Sequence, residues 1–518
     1  MKYVGQDKIA EIAELAKKRR DEIRNTKSEY PTSGKVYYVD DVNGCDQNDG
    51  LTPETAFQSL EKMEYLHTEA GDTVLFRRGG LWRGCLRPTK GVTYSAYGEG
   101  PKPTFYGSID ASDPNDWVLT DAENVWMYKP MIPYVKDVGA VIFNHGECWG
   151  IKICLNHKTG ERCDMQRGKG SSMGDLDVWN GRSWVHRERV PFGGYKDIKG
   201  DLEFFHRYSG HEHLYLNCAD GNPGEVFDSI ELNLRRSIVV GNVEGVTFDN
   251  ICFKYVGIHA IAAGGWCKNF TIRNCEFGWI GGSSQFPEIY ERKGDAPFGD
   301  DTTRLGNAVE IYGTVDNYVV ENNYFYQIYD AAITAQQHAG TATHKMAMEN
   351  IRWCNNVFDT THYCFELWLT VSDTNGYDFY MDNIDISGNI CFNEGYGWSH
   401  QRFDPAYQFY YGGGKRSAIM PVTNCAIHDN TFINGKRNII SAAHVGGDKV
   451  KFYDNTIYHN GIIGALPENL EGDYEKLKGY PMDDETIELL EGSGYFGKNT
   501  WCKIADTENE NPYIVKID

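Results

Sequence analysis

The sequence predicts an all-β chain wound as a β-solenoid, preceded by one helix and interrupted by a β-rich insertion. Three observations carry this. Short β-branched and aromatic runs alternate with turn clusters from Lys35 onward. A short Asn-containing pattern recurs through the second half of the chain. Apolar periodicity of helix length, which a helical solenoid needs, is missing from that half.

In residues 1–30, Ile9, Ile12, Leu15 and Ala16 fall at helical spacing, so this segment forms an amphipathic helix. It packs on the body of the protein or on a second copy of the chain. Residues 31–109 form a cap and first turns, with strands at Val36–Val39, Thr73–Phe76 and Val92–Tyr97 and a short helix over Thr55–Tyr65. Residues 110–235 are less regular and carry Trp117, Trp126, Trp149, Trp179 and Trp184, a β-rich insertion that overhangs the groove. Residues 461–518 lack the repeat. They cap the open end of the coil, with a short helix from Asp483 to Leu490.

The repeats occupy residues 236–460. Gly245-Val246-Thr247-Phe248-Asp249-Asn250-Ile251-Cys252-Phe253 returns as Asn269 to Phe277 and Asn317 to Phe325. Further copies run over Asn350 to Phe358, Asn383 to Phe392, Asn424 to Phe432 and Lys449 to Ile457. The second Asn of each copy is Asn250, Asn274, Asn323, Asn356, Asn389, Asn430 or Asn455, at intervals of 24, 49, 33, 33, 41 and 25 residues. Asn tolerates left-handed backbone, and stacked amides bond their neighbours above and below. The apolar residue that follows points into the core.

These repeats resemble those of the right-handed parallel β-helix, pectate-lyase-like superfamily of carbohydrate-active proteins. Tyr37-Tyr38-Val39-Asp40, Asn43-Gly44, Asp49-Gly50-Leu51-Thr52-Pro53-Glu54 and Gly71 to Phe76 are similar to the opening of many bacterial members. The resemblance spans most of residues 35–460. It implies carbohydrate chemistry without choosing among lyases, hydrolases, epimerases and adhesins. Hydrolases of that superfamily, such as glycoside hydrolase family 120, use an Asp and a Glu from nearby turns of the coil.

Composition narrows the partners. With 51 basic and 73 acidic residues, the net charge of −22 disfavours nucleic acid and long polyanionic polysaccharides. No apolar run of membrane-spanning length is present. The 14 cysteines form no CxxC pair and read as buried free thiols. Together with a charged amphipathic N-terminus, they suggest a cytoplasmic enzyme acting on a neutral oligosaccharide.

Three acids follow the Asn bends on successive repeats: Glu310, Asp330 and Glu366. Clustered carboxylates push one another's pKa apart, which suits paired acid and base roles. This reading makes Asp330 the nucleophile or base, Glu366 the general acid and Glu310 the residue that tunes them. If Asp330 stands too far from the sugar, Glu310 and Glu366 form an inverting pair. His259, Asn307, Tyr312, Gln336, His338, Trp368, Trp398, His400 and Arg402 are the substrate-binding candidates, offering sugar-stacking rings and polar groups. No cofactor or metal is expected. Asp300 and Asp301 alone are a poor Ca²⁺ site. The runner-up activities are a polysaccharide lyase or uronate epimerase, with Arg402 pairing a carboxylate, and glycan binding without turnover.

Overall fold

The computed structural model describes residues 1–132, 137–155, 162–163, 177–186, 194–207, 211–284, 304–401, 407–412, 421–436, 438–441, 450–465, 480–492 and 496–505. Most of the chain is β structure in two large sheets. One has 11 strands, all paired in parallel. The other has 17 strands and is parallel except where Ile462–Ala465 meets Tyr480–Pro481. Each copy of the repeat gives a strand to both sheets. Successive copies therefore lie on one another as tiers.

Asparagines join the tiers. The backbone N–H and the side-chain Nδ2 of Asn323 both donate to Oδ1 of Asn356, at 2.9 and 3.0 Å. Asn356 does the same to Asn389, Asn389 to Asn430, Asn430 to Asn455, and Asn455 to Asn499. Each Nδ2 also reaches a strand carbonyl, as Asn389 does to Trp353 at 3.0 Å. The ladder residue is not the left-handed one. That conformation belongs to the preceding position, at Asn322, Asn355, Gly388, Asp429 and Asp454. Asn250 and Asn274 also have positive φ, so in the early copies the sequence pattern marks the bend, one residue before the ladder.

Inside, aromatic rings stack tier on tier. Phe253, Phe277, Phe325 and Phe358 follow one another with ring centroids 5.1, 4.8 and 5.0 Å apart. These spacings match the strand separation of about 4.8 Å, so identical side chains stack without adjustment.

The N-terminal helix spans Gln6–Asn25. It lies along the outer face of the 11-stranded sheet, burying Ile9, Ile12, Ala13, Ala16 and Ile23 against Tyr324, Val357, Ile390, Ile433, Tyr458 and Cys502. Its 20 residues give a length of about 30 Å. That matches six strand spacings of about 4.8 Å, from Thr500–Ile504 to Glu276–Ile280. Arg24 closes the far end on Glu276 at 2.9 Å. Leu15, read as part of the apolar stripe, faces outward instead. The early helix is also shorter than expected: it covers Leu60–Tyr65, because Ser59 caps it by accepting the Lys62 N–H.

Residues of the 110–235 segment build small sheets rich in antiparallel pairs, around cores of their own. Trp149, Trp279, Tyr329 and Trp398 pack together between these strands and the tiers. At the other end, the helix Asp484–Gly492 and the strand Thr500–Ile504 follow the last repeat. The cysteines whose side chains are described are free thiols. Among the described residues no helix is long and apolar enough to cross a membrane.

Candidate active site

The register of the 17-stranded sheet sets out the candidate site. Ala262 of Ile261–Arg273 pairs with Glu310 of Val309–Glu321. Val309 pairs with Ile333 and Tyr312 with Gln336, which sets Glu310 opposite Thr334. Thr334 in turn pairs with Glu366 of Tyr363–Asp373. One outward column therefore reads Ala262, Glu310, Thr334, Glu366. Side chains alternate along a strand, so the column two residues on shares the same face. It reads Gly264, Tyr312, Gln336, Trp368. The intervening residues Val309, Ile311, Ile333, Ala335, Phe365 and Leu367 are buried in the core and fix this face outward.

Hydrogen bonds hold both glutamates. Glu310 Oε2 accepts from Asn307 Nδ2 at 2.5 Å and from Thr334 Oγ1 at 2.8 Å. Glu366 Oε2 accepts from Gln336 Nε2 at 2.8 Å. Asn307 is fixed in turn, because its Oδ1 accepts the Ala331 N–H at 2.8 Å. Its own N–H donates to His259 Nδ1 at 3.0 Å. Burial raises the Glu310 carboxyl above its ordinary range, and the bonds from Asn307 and Thr334 do not offset this. Burial also pushes the His259 imidazole down to about 4, although the charge of Asp330 and the Asn307 bond oppose it. His259 is thus neutral near pH 7, with Nδ1 as its acceptor nitrogen.

Asp330 does not stand in the glutamate column. It sits at the bend just before Ala331–Thr341, four residues ahead of Thr334, and is 8% exposed. The middle tier between the two glutamates carries Thr334 instead, fully buried and bonded to Glu310. Tyr312 and His338 are exposed, and Gln336 and Trp368 are half-buried on the same face. Trp398, expected to meet sugar, is fully buried: its Nε1 donates to the Gln327 carbonyl at 2.9 Å, and its ring packs on Tyr329 and Trp279. His400 falls in the turn Gly397–Gln401, and its side chain lies outside the described residues. Arg402, Asp300 and Asp301 also lie outside them.

Two residues of this face escaped the sequence reading. Thr334 is one, passed over because the acid of its repeat, Asp330, was taken in its place. Trp266 is the other, 57% exposed on the strand that carries Ala262. Its signal was an aromatic residue directly after Gly264-Gly265 inside a strand.

No protein-family model and no curated protein matches the chain. Among solved structures, XylC in complex with xylose is similar at 14% identity and a TM-score of 0.33, over 91% of this chain and 87% of that one. A native GH136 lacto-N-biosidase from Eubacterium ramulus is similar at 14% identity and a TM-score of 0.29, over 90% of this chain and 68% of that one. Its selenomethionine derivative gives 13% identity and a TM-score of 0.28, over 90% and 67%. Likeness at this level leaves function to be read from the site's own geometry.

Proposed function

We propose that the chain is a right-handed parallel β-helix and a glycoside hydrolase acting on a neutral oligosaccharide, with Glu310 and Glu366 as its acid–base pair. The observation that carries this reading is their shared outward column, two tiers apart, beside Tyr312 and Trp368. Two strand spacings put their backbones about 9.5 Å apart. Inverting glycosidases hold their carboxyls roughly 6.5–9.5 Å apart, which leaves room for a water.

The residues divide the work by environment. Glu310, its carboxyl raised by burial, holds a proton to higher pH than an ordinary glutamate and is the general acid. This departs from the sequence reading, which gave that role to Glu366. Glu366, oriented by Gln336, is the base. Glu310 protonates the glycosidic oxygen as the bond to the anomeric carbon breaks. Glu366 takes a proton from the water that attacks that carbon from the opposite face. Asp330 acts at one remove, through its charge on His259. The net charge of −22 suits a neutral substrate.

The test is a screen of aryl glycosides and oligosaccharides, read by reducing ends and ultraviolet absorbance. New reducing ends without an unsaturated chromophore, lost on the oligosaccharides in both Glu310→Gln and Glu366→Gln, support the hydrolase. An unsaturated product, or full activity on the oligosaccharides in either variant, overturns it.

A further inference from the structure

Small residues open a hollow beside Glu310. On the tier before it, Ala262 stands opposite Glu310 and Gly264 opposite Tyr312. A Cβ built on Gly264 would find only the Tyr312 carbonyl oxygen, 3.8 Å away, and one on Gly265 would meet nothing within 4 Å. This floor is therefore bare backbone next to a carboxyl. Gly265 follows with positive φ, and beyond it Trp266 stands at the far end with a ring 57% exposed. Tyr312, 46% exposed, flanks it on the glutamate side. Trp266 pairs with Thr314, two residues beyond Tyr312, and Tyr312 stands about 6.6 Å along its strand from Glu310.

An exposed Trp in a hydrated strand face gains by covering its ring, and a pyranose offers a face of C–H groups with hydroxyls around the rim. The Gly264–Gly265 backbone permits that close approach, since any side chain there would fill the floor. We infer that Ala262, Gly264 and Trp266 form a second sugar subsite, which takes the pyranose next to the one cleaved. The inference rests on the proposed hydrolase. It adds that the preferred substrate is an oligomer extending from Glu310 toward Trp266, away from Glu366.

The experiment compares kcat/KM for p-nitrophenyl β-glucoside, β-xyloside and β-galactoside with that for the matching β-linked tetrasaccharides. In wild-type protein the tetrasaccharide is expected to be preferred. Trp266→Ala is expected to cut that preference about five- to tenfold, mainly through KM, and Trp266→Phe to restore part of it. Gly264→Val, which fills the floor, should do the same as Trp266→Ala. Tyr65→Ala removes an 82% exposed ring far along the sequence, on the short helix Leu60–Tyr65, and should leave the preference unchanged. If wild-type protein cleaves no substrate, the hydrolase reading fails. If it cleaves them and Trp266→Ala keeps the full length preference, the subsite is refuted while the hydrolase stands. A change in sedimentation on Trp266→Ala would overturn it in favour of a contact between copies of the chain.

Discussion

Glu310 and Glu366 occupy one outward column of the sheet, two tiers apart, with Thr334 between them bonding to Glu310 at 2.8 Å. Parallel pairing fixes this relationship. Val309, Ile333 and Phe365 are buried directly behind, so neither glutamate can turn inward without exposing core.

The pair should be separable by variants. Glu310→Gln keeps the Thr334 bond but cannot deliver a proton. It should slow substrates with poor leaving groups at least about 100-fold, and activated aryl glycosides much less. Glu366→Gln should slow both alike. Steady-state kinetics on the two substrate classes, with circular dichroism to confirm folding, checks this.

The pH profile should follow Glu310. Its raised carboxyl must be protonated to act, so the alkaline limb of kcat/KM is expected above the ordinary glutamate range and should disappear in Glu310→Gln. His259, held neutral down to about 4, should add no limb near 6.5. A limb near 6.5 that vanished in His259→Ala would contradict this.

Docking of the N-terminal helix should be acid-sensitive. Burial alone would raise the Glu276 carboxyl, but Lys254 and Arg24 outweigh it and hold it at about 2. A depressed carboxyl stabilises the fold above its unfolded value and loses that contribution as pH falls through the folded one. The stability from Glu276 should fade between about 4.5 and about 2. Urea melts against pH should show this slope in wild-type protein and a flatter one in Glu276→Gln.

The asparagine ladder should be sensitive in the middle. Asn389 is fully buried. It bonds Asn430 Oδ1 and the Trp353 carbonyl, and it accepts from Asn356. Asn389→Ala orphans several buried groups at about 1–3 kcal/mol each, so the melting temperature should drop by several degrees. Trp398→Ala should likewise destabilise, by about 3–5 kcal/mol, with no selective effect on KM.

How much of this the sequence showed depends on what sets each feature. The tiers were legible because Asn323, Asn356 and Asn389 recur with the same amide chemistry, and Phe325 and Phe358 follow the first two into the core. The place of Asp330 was not. Taking one acid from each successive repeat puts Asp330 beside Glu310, but that grouping does not fix the register, and pairing of Val309 with Ile333 sets Thr334 level with Glu310 instead. Trp398 looked like a sugar platform because the rings that cover it, Trp279 and Tyr329, come from other repeats far from it in the sequence. Trp266 was passed over because exposure follows from Ala262 and Gly264 on its own strand, and a lone Trp is more often core.

The most direct measurement follows the anomeric proton of the first-formed sugar by NMR during turnover of a tetrasaccharide. Glutamates two tiers apart call for inversion: the released sugar should appear first as the anomer opposite to the substrate linkage, and mutarotate later. Retention of configuration, or a product with a carbon–carbon double bond, would contradict the assignment of Glu310 and Glu366 as the acid–base pair.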